Sequence, residues 1–147
     1  MRVLITGSNS FIGKHLCIKL NDNKSIDVIK SQRNNIPKNQ KSNFFIVQSI
    51  DISTNWSLVL KNVDVVVHLA SHMSDMNLEE NYEKSEYKKI NEEGTLNLVR
   101  QSMDHGIKKF IFLSTIGVYG TKSIHPFKYG DKENPSNFYS EFKLKAE

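Results

Sequence analysis

The chain has 147 residues, 38% of them hydrophobic and 24% charged, the make-up of a single soluble globular domain that can bury a core but has no room for a second domain. No apolar run is long enough to cross a bilayer and no charged-then-apolar leader opens the sequence, so the cytoplasm is the expected setting. The net charge of +4 comes from lysines spread along the chain, with three arginines and no dense basic run, which argues for a lysine-coated surface and against nucleic acid as a partner.

RVLIT (Arg2 to Thr6) reads as a buried strand, and Phe11, Ile12, His15, Leu16, Ile18 and Leu20 then recur at helical spacing up to an Asn/Asp-rich stop at Asn21 to Asn23. Cys17, the single cysteine, lies inside that apolar pattern and reads as a small buried hydrophobe. IDVIK is a second strand, followed by the polar connection SQRNNIPKNQKSN and a third strand, FFIVQ (Phe44 to Gln48). A short helix is expected from Ser53 to Lys61. VDVVVHLA (Val63 to Ala70) is a fourth strand, nearly continuous in β-branched residues, as suits a strand covered on both faces.

The longest helix is expected from about Glu83 to His105, ended by Gly106. KFIFLS is a fifth strand; a long loop from Thr115 to about Ser136 follows, and a new helix begins near Asn137. Strands alternating with helices imply parallel pairing through right-handed crossovers, hence an α/β fold with a three-layer doubly wound parallel sheet of order 3-2-1-4-5. In such a sheet ligands gather at the carboxyl ends of the strands.

TGSNSFIG (Thr6 to Gly13) lies at such an end, between the first strand and the first helix, where unpaired helix amides and the helix dipole favour a phosphate. Gly7 would permit the tight turn and Gly13 would let the helix lie close on the sheet. Ser10 stands where close backbone approach to a phosphate is usually allowed by a third glycine; its cost is small if φ is negative and ~1 kcal/mol if positive, and its hydroxyl could donate to the phosphate. The same stretch is also compatible with a plain strand-to-helix turn.

TGSNSFIG, Asp51-Ile52, HLAS (His68 to Ser71), NEEGTLNL (Asn91 to Leu98), FIFLSTIGVYG (Phe110 to Gly120) and YSEFK (Tyr139 to Lys143) together, in order and spacing, resemble the extended short-chain dehydrogenase/reductases. The nucleotide-sugar 4-epimerases and 4-ketoreductases, UDP-glucose 4-epimerase among them, are the most similar branch of this NAD-dependent epimerase/dehydratase family. The resemblance implies an NAD(P)-binding Rossmann fold, with Gly7, Ser10, Phe11, Ile12 and Gly13 at the diphosphate. Asp51 and Ile52 would stand at the adenine, Leu69, Ala70 and Ser71 would line the cofactor, and Asn91 would support the active site. For Asp51, capping of the following helix is the alternative reading, and both can hold.

Tyr139 and Lys143 lie four apart at a helix start and share one face. Free tyrosine titrates near pH ~10, and an adjacent ammonium or a positively charged nicotinamide would favour its phenolate. The resemblance makes Tyr139 the general base and acid toward a sugar hydroxyl, Lys143 its cationic neighbour in contact with the cofactor, and Thr115 the hydrogen-bond donor to the same oxygen. The alternative for the pair is an exposed tyrosine with a solvated lysine. His68 is expected to be a packed strand-end residue, and His68 with His72 is not expected to hold a metal. After the second strand the sequence offers Lys30, Ser31, Gln32 and Arg33 instead of an acid for the ribose hydroxyls of NAD, which with Arg33 at hand leans the cofactor slightly from NAD towards NADP; a loop arginine free in solvent is an equal reading of Arg33.

Dehydratases of this superfamily carry an Asp-Glu pair directly after the catalytic threonine, where this chain has Ile116 and Gly117; epimerisation or ketone reduction at sugar C4 is therefore expected. The family continues into a C-terminal lobe that grips the nucleotide sugar. Residues 1–147 are thus expected to be one NAD(P)-binding domain, the N-terminal part of a longer homodimeric enzyme, inactive by itself. The competing class is a dinucleotide-binding redox sensor without chemistry, whose members typically lack the tyrosine.

Overall fold

The computed structural model describes residues 1–33, 43–73 and 80–147, the side chains of 80–83 excepted. Five strands, β1 (Arg2–Thr6), β2 (Asp27–Gln32), β3 (Phe44–Ile46), β4 (Val65–His68) and β5 (Lys109–Phe112), form a parallel sheet of order β3-β2-β1-β4-β5. That is the doubly wound order expected from the alternation of apolar runs with amphipathic ones. The helices are α1 (Phe11–Asn21), α2 (Ser57–Leu60), α3 (Glu80–Tyr87), α4 (Thr95–Asp104) and α5 (Phe138–Ala146).

Strand side chains alternate between the faces, so the single sheet carries two cores. Leu4, Ile29 and Val66 join Trp56, Val59, Leu60 and Leu98 on one face; Val3, Ile5, Val28, Val65 and Val67 join Cys17, Leu16 and Leu20 on the other. Burying each such aliphatic side chain contributes roughly 1.5–3 kcal/mol. Cys17 is part of that second core, and burial pushes its thiol above the ordinary value.

The register sets the carboxyl edge. Thr6 pairs with Ser31 on one side and His68 on the other, and His68 pairs with Phe112. Four strand-end residues therefore stand in one level row, and the candidate site is built on it.

Three elements differ from the sequence expectation. The helix expected over Ser53 to Lys61 is only Ser57–Leu60, because Asp51 accepts from the Ser53 amide at 2.8 Å and hydroxyl at 2.6 Å while the Thr54 hydroxyl accepts from the Asp51 amide at 3.0 Å. These side-chain bonds hold a turn where backbone bonds would otherwise start the helix. Consequently Asp51 does not cap α2, whose N-cap is Trp56. The long helix starts earlier than Glu83, at Glu80, and between α3 and α4 it widens into a π-helical segment, Lys88–Gly94. Finally, β3 ends at Ile46, two residues short of Gln48. Among the described residues no helix is long and apolar enough to cross a membrane.

Candidate active site

The turn after β1 is tight because Gly7 has φ +67, and a Cβ there would stand 2.8 Å from the Ala70 amide nitrogen. Only a residue without a side chain fits both demands. Gly13 serves a different contact from the one expected: its Cα faces the turn itself, where a Cβ would come within 2.9 Å of Ser8 Cα, and not the sheet. Ser10 is unstrained at φ −67 and is the N-cap of α1, its hydroxyl accepting from the Gly13 amide at 3.0 Å. Its own proton stays available to a ligand. The amides of Phe11 and Ile12 have no hydrogen-bond partner among the described residues.

Two cavities, each of about 290 Å³, open along the carboxyl edge. The first is walled by the turn (Gly7, Asn9, Ser10), the end of β2 (Ser31, Gln32, Arg33) and the segment leaving β3 (Val47 to Ile50). Leu69 to His72 from the exit of β4, with Glu86 and Ile90, close it. Ser10, Phe11, Ile12, Leu69, Ser71, Leu113, Tyr139 and Lys143 line the second. Ser10, Leu69 and Ser71 belong to both, so the two cavities adjoin beside the mouth of α1.

Lys143 is 1% exposed, and its Nζ lies 3.9 Å from the centre of the Phe112 ring. Burial brings its ammonium down to about 8, with the Glu147 carboxylate opposing the shift. A cation placed over an aromatic face keeps part of its charge stabilisation without water. Tyr139 lines the same cavity and meets the Tyr87 ring edge-on, centroids 6.3 Å apart. Asn137 starts α5 by accepting from the Ser140 amide at 2.8 Å, which fixes the helix turn that presents Tyr139.

Beneath this cavity His68 is fully buried between two threonine hydroxyls, Thr6 at 2.6 Å and Thr95 at 3.0 Å. Burial, and secondarily the Lys143 cation, lowers it to about 3, so it is a neutral packed ring. Among the described residues no group of three metal-ligating side chains is assembled.

Five expected site residues lie outside both cavity walls: Gly13, packed against the turn, and Asp51, Ile52, Asn91 and Thr115. Asp51 is held by Ser53 and Ser49, whose hydroxyl donations bring its carboxyl down to about 2, while Ile52 is exposed. Asn91, 1% exposed, accepts from the His72 amide at 2.7 Å and donates to the His72 carbonyl at 2.9 Å, pinning the loop that forms one wall. Thr115 caps the 3-10 turn Ile116–Tyr119, its hydroxyl accepting from the Gly117 amide at 3.2 Å.

A family model described as NAD dependent epimerase/dehydratase family matches residues 3–147. The chain belongs to that family. Curated relatives include a Vibrio cholerae UDP-glucose 4-epimerase, 37% identical over 99% of this chain and 44% of its own, and a Mus musculus dTDP-D-glucose 4,6-dehydratase, 28% identical over 99% of this chain and 44% of its own. Among solved structures, UDP-glucuronic acid 4-epimerase from Bacillus cereus in complex with UDP-glucuronic acid and NAD superposes with a TM-score of 0.82 at 28% identity, covering 99% of this chain and 50% of that one. The chain thus spans about half the length of the relatives it matches.

Sequence reasoning missed several residues that this epimerase/dehydratase domain brings to the cleft. Val47 to Ile50 line the first cavity because β3 ends early. Phe112 underlies Lys143, and Tyr87 backs Tyr139. A signal for Tyr87 existed: with Asn91, Thr95, Leu98 and Ser102, all buried, it follows the three-to-four spacing of one helix face.

Proposed function

We propose that residues 1–147 form the dinucleotide-binding and catalytic domain of an NAD(P)-dependent nucleotide-sugar 4-epimerase or 4-ketoreductase that acts at sugar C4. The single observation carrying this reading is that the cavity at the glycine turn and the cavity at the Tyr139/Lys143 pair adjoin, sharing the walls formed by Ser10, Leu69 and Ser71. The residues present fit a dinucleotide: two unpaired amides at the mouth of α1 suit a diphosphate, and small residues on both sides of it leave room at each half.

A bound nicotinamide supplies the acceptor and donor of hydride at C4. The rest falls to this chain's side chains. Tyr139 takes the proton of the C4 hydroxyl as the alcohol is oxidised and returns it to the carbonyl oxygen on reduction. The Thr115 hydroxyl, which accepts from Gly117 and keeps its proton, donates to that same oxygen. Lys143 contributes positive charge in a nearly dry setting, where it acts on the phenol more strongly than it would in water. Leu113, Phe11 and Ile12 keep the wall around Tyr139 apolar. Asp51 and Ile52 stand near the adenine end, and Asn91 acts by holding His72. A homodimer of the whole protein is part of this reading, as is a nucleotide-sugar substrate held mainly by residues beyond these 147.

Ile116 and Gly117 offer no acid or base beside Thr115, which sets dehydration apart from the two proposed reactions. The test is to assay the whole protein with UDP-sugars and their 4-keto derivatives in the presence of NAD(H) or NADP(H), and to repeat it with Tyr139→Phe. Loss of turnover with dinucleotide binding retained supports the enzyme; unchanged turnover removes Tyr139 from the mechanism, and dinucleotide binding without turnover in the unaltered protein favours a sensor.

A further inference from the structure

We infer that Tyr87 is a positioning residue for Tyr139: its ring, in contact with the rings of His72 and Tyr139, holds the Tyr139 phenol in a fixed orientation at the wall of the second cavity. The role depends on the proposed reaction, in which Tyr139 is the acid–base group, and names the side chain that aims it.

A tyrosine turns about two side-chain bonds, so its helix fixes where the ring starts and not where its oxygen ends. The ring needs a neighbour. Tyr139 is half-buried in the wall of the second cavity, and it meets Tyr87 edge-on with centroids 6.3 Å apart. Tyr87 is 5% exposed and lines neither cavity, so it backs the wall without being part of it. Its ring also meets that of His72 edge-on, at 5.0 Å, and His72 belongs to the wall of the first cavity. At both separations tilted aromatic pairs attract, the positive edge of one ring facing the negative face of the other.

The support behind Tyr87 is itself held. Asn91, four residues on, accepts from the His72 amide at 2.7 Å and donates to the His72 carbonyl at 2.9 Å, so residues 87 and 91 grip His72 by ring and backbone together. Three residues before Tyr87, Lys84 makes a second contact from α3 to the first turn of α5, its Nζ 5.4 Å from the centre of the Phe138 ring. The Asn137 cap on the Ser140 amide fixes the backbone of that turn. Backbone and ring of Tyr139 are thus held by different groups, and Tyr87 is the one that meets the ring edge-on from α3. Such a hold matters for proton transfer, which works only over hydrogen-bond distance; a misplacement of about 1 Å can cost about a hundredfold in rate.

Magnetic resonance on the whole protein carrying isotope-labelled tyrosine tests this together with kinetics, the Tyr139 signals being those lost in Tyr139→Phe. In the unaltered protein, nuclear Overhauser contacts should join the Tyr87 and Tyr139 rings, and their absence overturns the inference without recourse to any variant. Tyr87→Leu, which keeps an apolar side chain but no ring, should shift the Tyr139 signals and lower kcat on UDP-sugars roughly ten- to hundredfold, with KM and the dinucleotide Kd moving less than about threefold. Tyr87→Phe, which keeps the ring, should leave the signals in place and kcat within about threefold of the unaltered protein. A core residue with no positioning role would lower the stability of Tyr87→Leu and leave kcat per folded molecule unchanged, which overturns the assignment. So would unmoved Tyr139 signals in Tyr87→Leu, KM or Kd rising in step with the fall in kcat, or Tyr87→Phe as slow as Tyr87→Leu. If the unaltered protein turns over no UDP-sugar, the proposed reaction fails, and the ring contacts and signals alone decide whether Tyr87 holds Tyr139.

Discussion

At the β2 and β3 end of the cleft the wall offers the Ser31 and Ser49 side chains, the Gln32 amide and the exposed Arg33 guanidinium; at the β4, β5 and α5 end it offers Tyr139 and Lys143, each packed against an aromatic ring. Ser31, Ser49 and Arg33 typify the first end. Lys143, His68 and Phe112 typify the second, where a cation 1% exposed lies over one ring and lowers the proton affinity of a neighbouring imidazole. On the proposed function, the first region recognises and the second reacts. The contrast teaches that binding and chemistry should come apart under mutation.

The sharpest way to break that contrast is Tyr139→Phe. With Tyr139 as the acid–base group of the proposed reaction, the change should lower turnover of the whole protein by about 10²–10⁴-fold while the dinucleotide dissociation constant, read by calorimetry, moves less than about threefold. A parallel loss of binding would mean that the two ends of the cleft are not separable.

Next in size is the buried cation. Lys143 sits at about 8 in the folded chain against 10.5 for an ordinary lysine, so between those values the unfolded chain binds more protons and stability rises with pH. The full penalty, about 3 kcal/mol, applies at pH 7 and below. Without dinucleotide, Lys143→Met should therefore be more stable than the unaltered chain at pH 7, and the gap should narrow as pH climbs from 8 to 10.5. Denaturant titrations across that range check it, and two curves that stay parallel would show that Lys143 is not a burdened cation.

The sheet order was readable from sequence because β-branched runs and amphipathic runs alternate, and that alternation has few topological solutions. The glycine turn was readable too, since Gly7 and its neighbours follow a strand and open a helix. What stayed hidden depends on side chains reaching across the chain. Asp51, Ser53 and Thr54 have ordinary helix-start composition, yet their mutual hydrogen bonds make a turn and shorten α2. The π-helical segment has no periodicity of its own to announce it; it coincides with Asn91 reaching His72, a partner 19 positions away. The wall supplied by Val47 to Ile50 depended on where β3 stops pairing, and strand ends are set by register with β2.

The recognition end can be broken sterically at one point. Gly7→Ala places a methyl group in the left-handed region and against the Ala70 amide, 2.8 Å away. Left-handed strain plus the shift forced on a neighbouring backbone should cost about 2–3 kcal/mol of stability. Urea midpoints give the stability change, and a loss well below 1 kcal/mol would mean that the turn and the β4 exit can separate freely.

The smallest expected effect discriminates most finely, because Ser10 stands on the boundary between the two cavities and has two uses for one hydroxyl. As a helix cap it accepts from Gly13, so Ser10→Ala should cost about 1 kcal/mol and Ser10→Gly only a few tenths. As a phosphate contact it donates its proton, and then Ser10→Ala should also weaken dinucleotide binding. If the cap is its main work, both variants bind dinucleotide within about threefold of the unaltered chain while differing in stability in the order given. Weaker binding in Ser10→Ala and Ser10→Gly alike, with stability nearly unchanged, would assign the hydroxyl to the ligand and make residue 10 a recognition group in its own right.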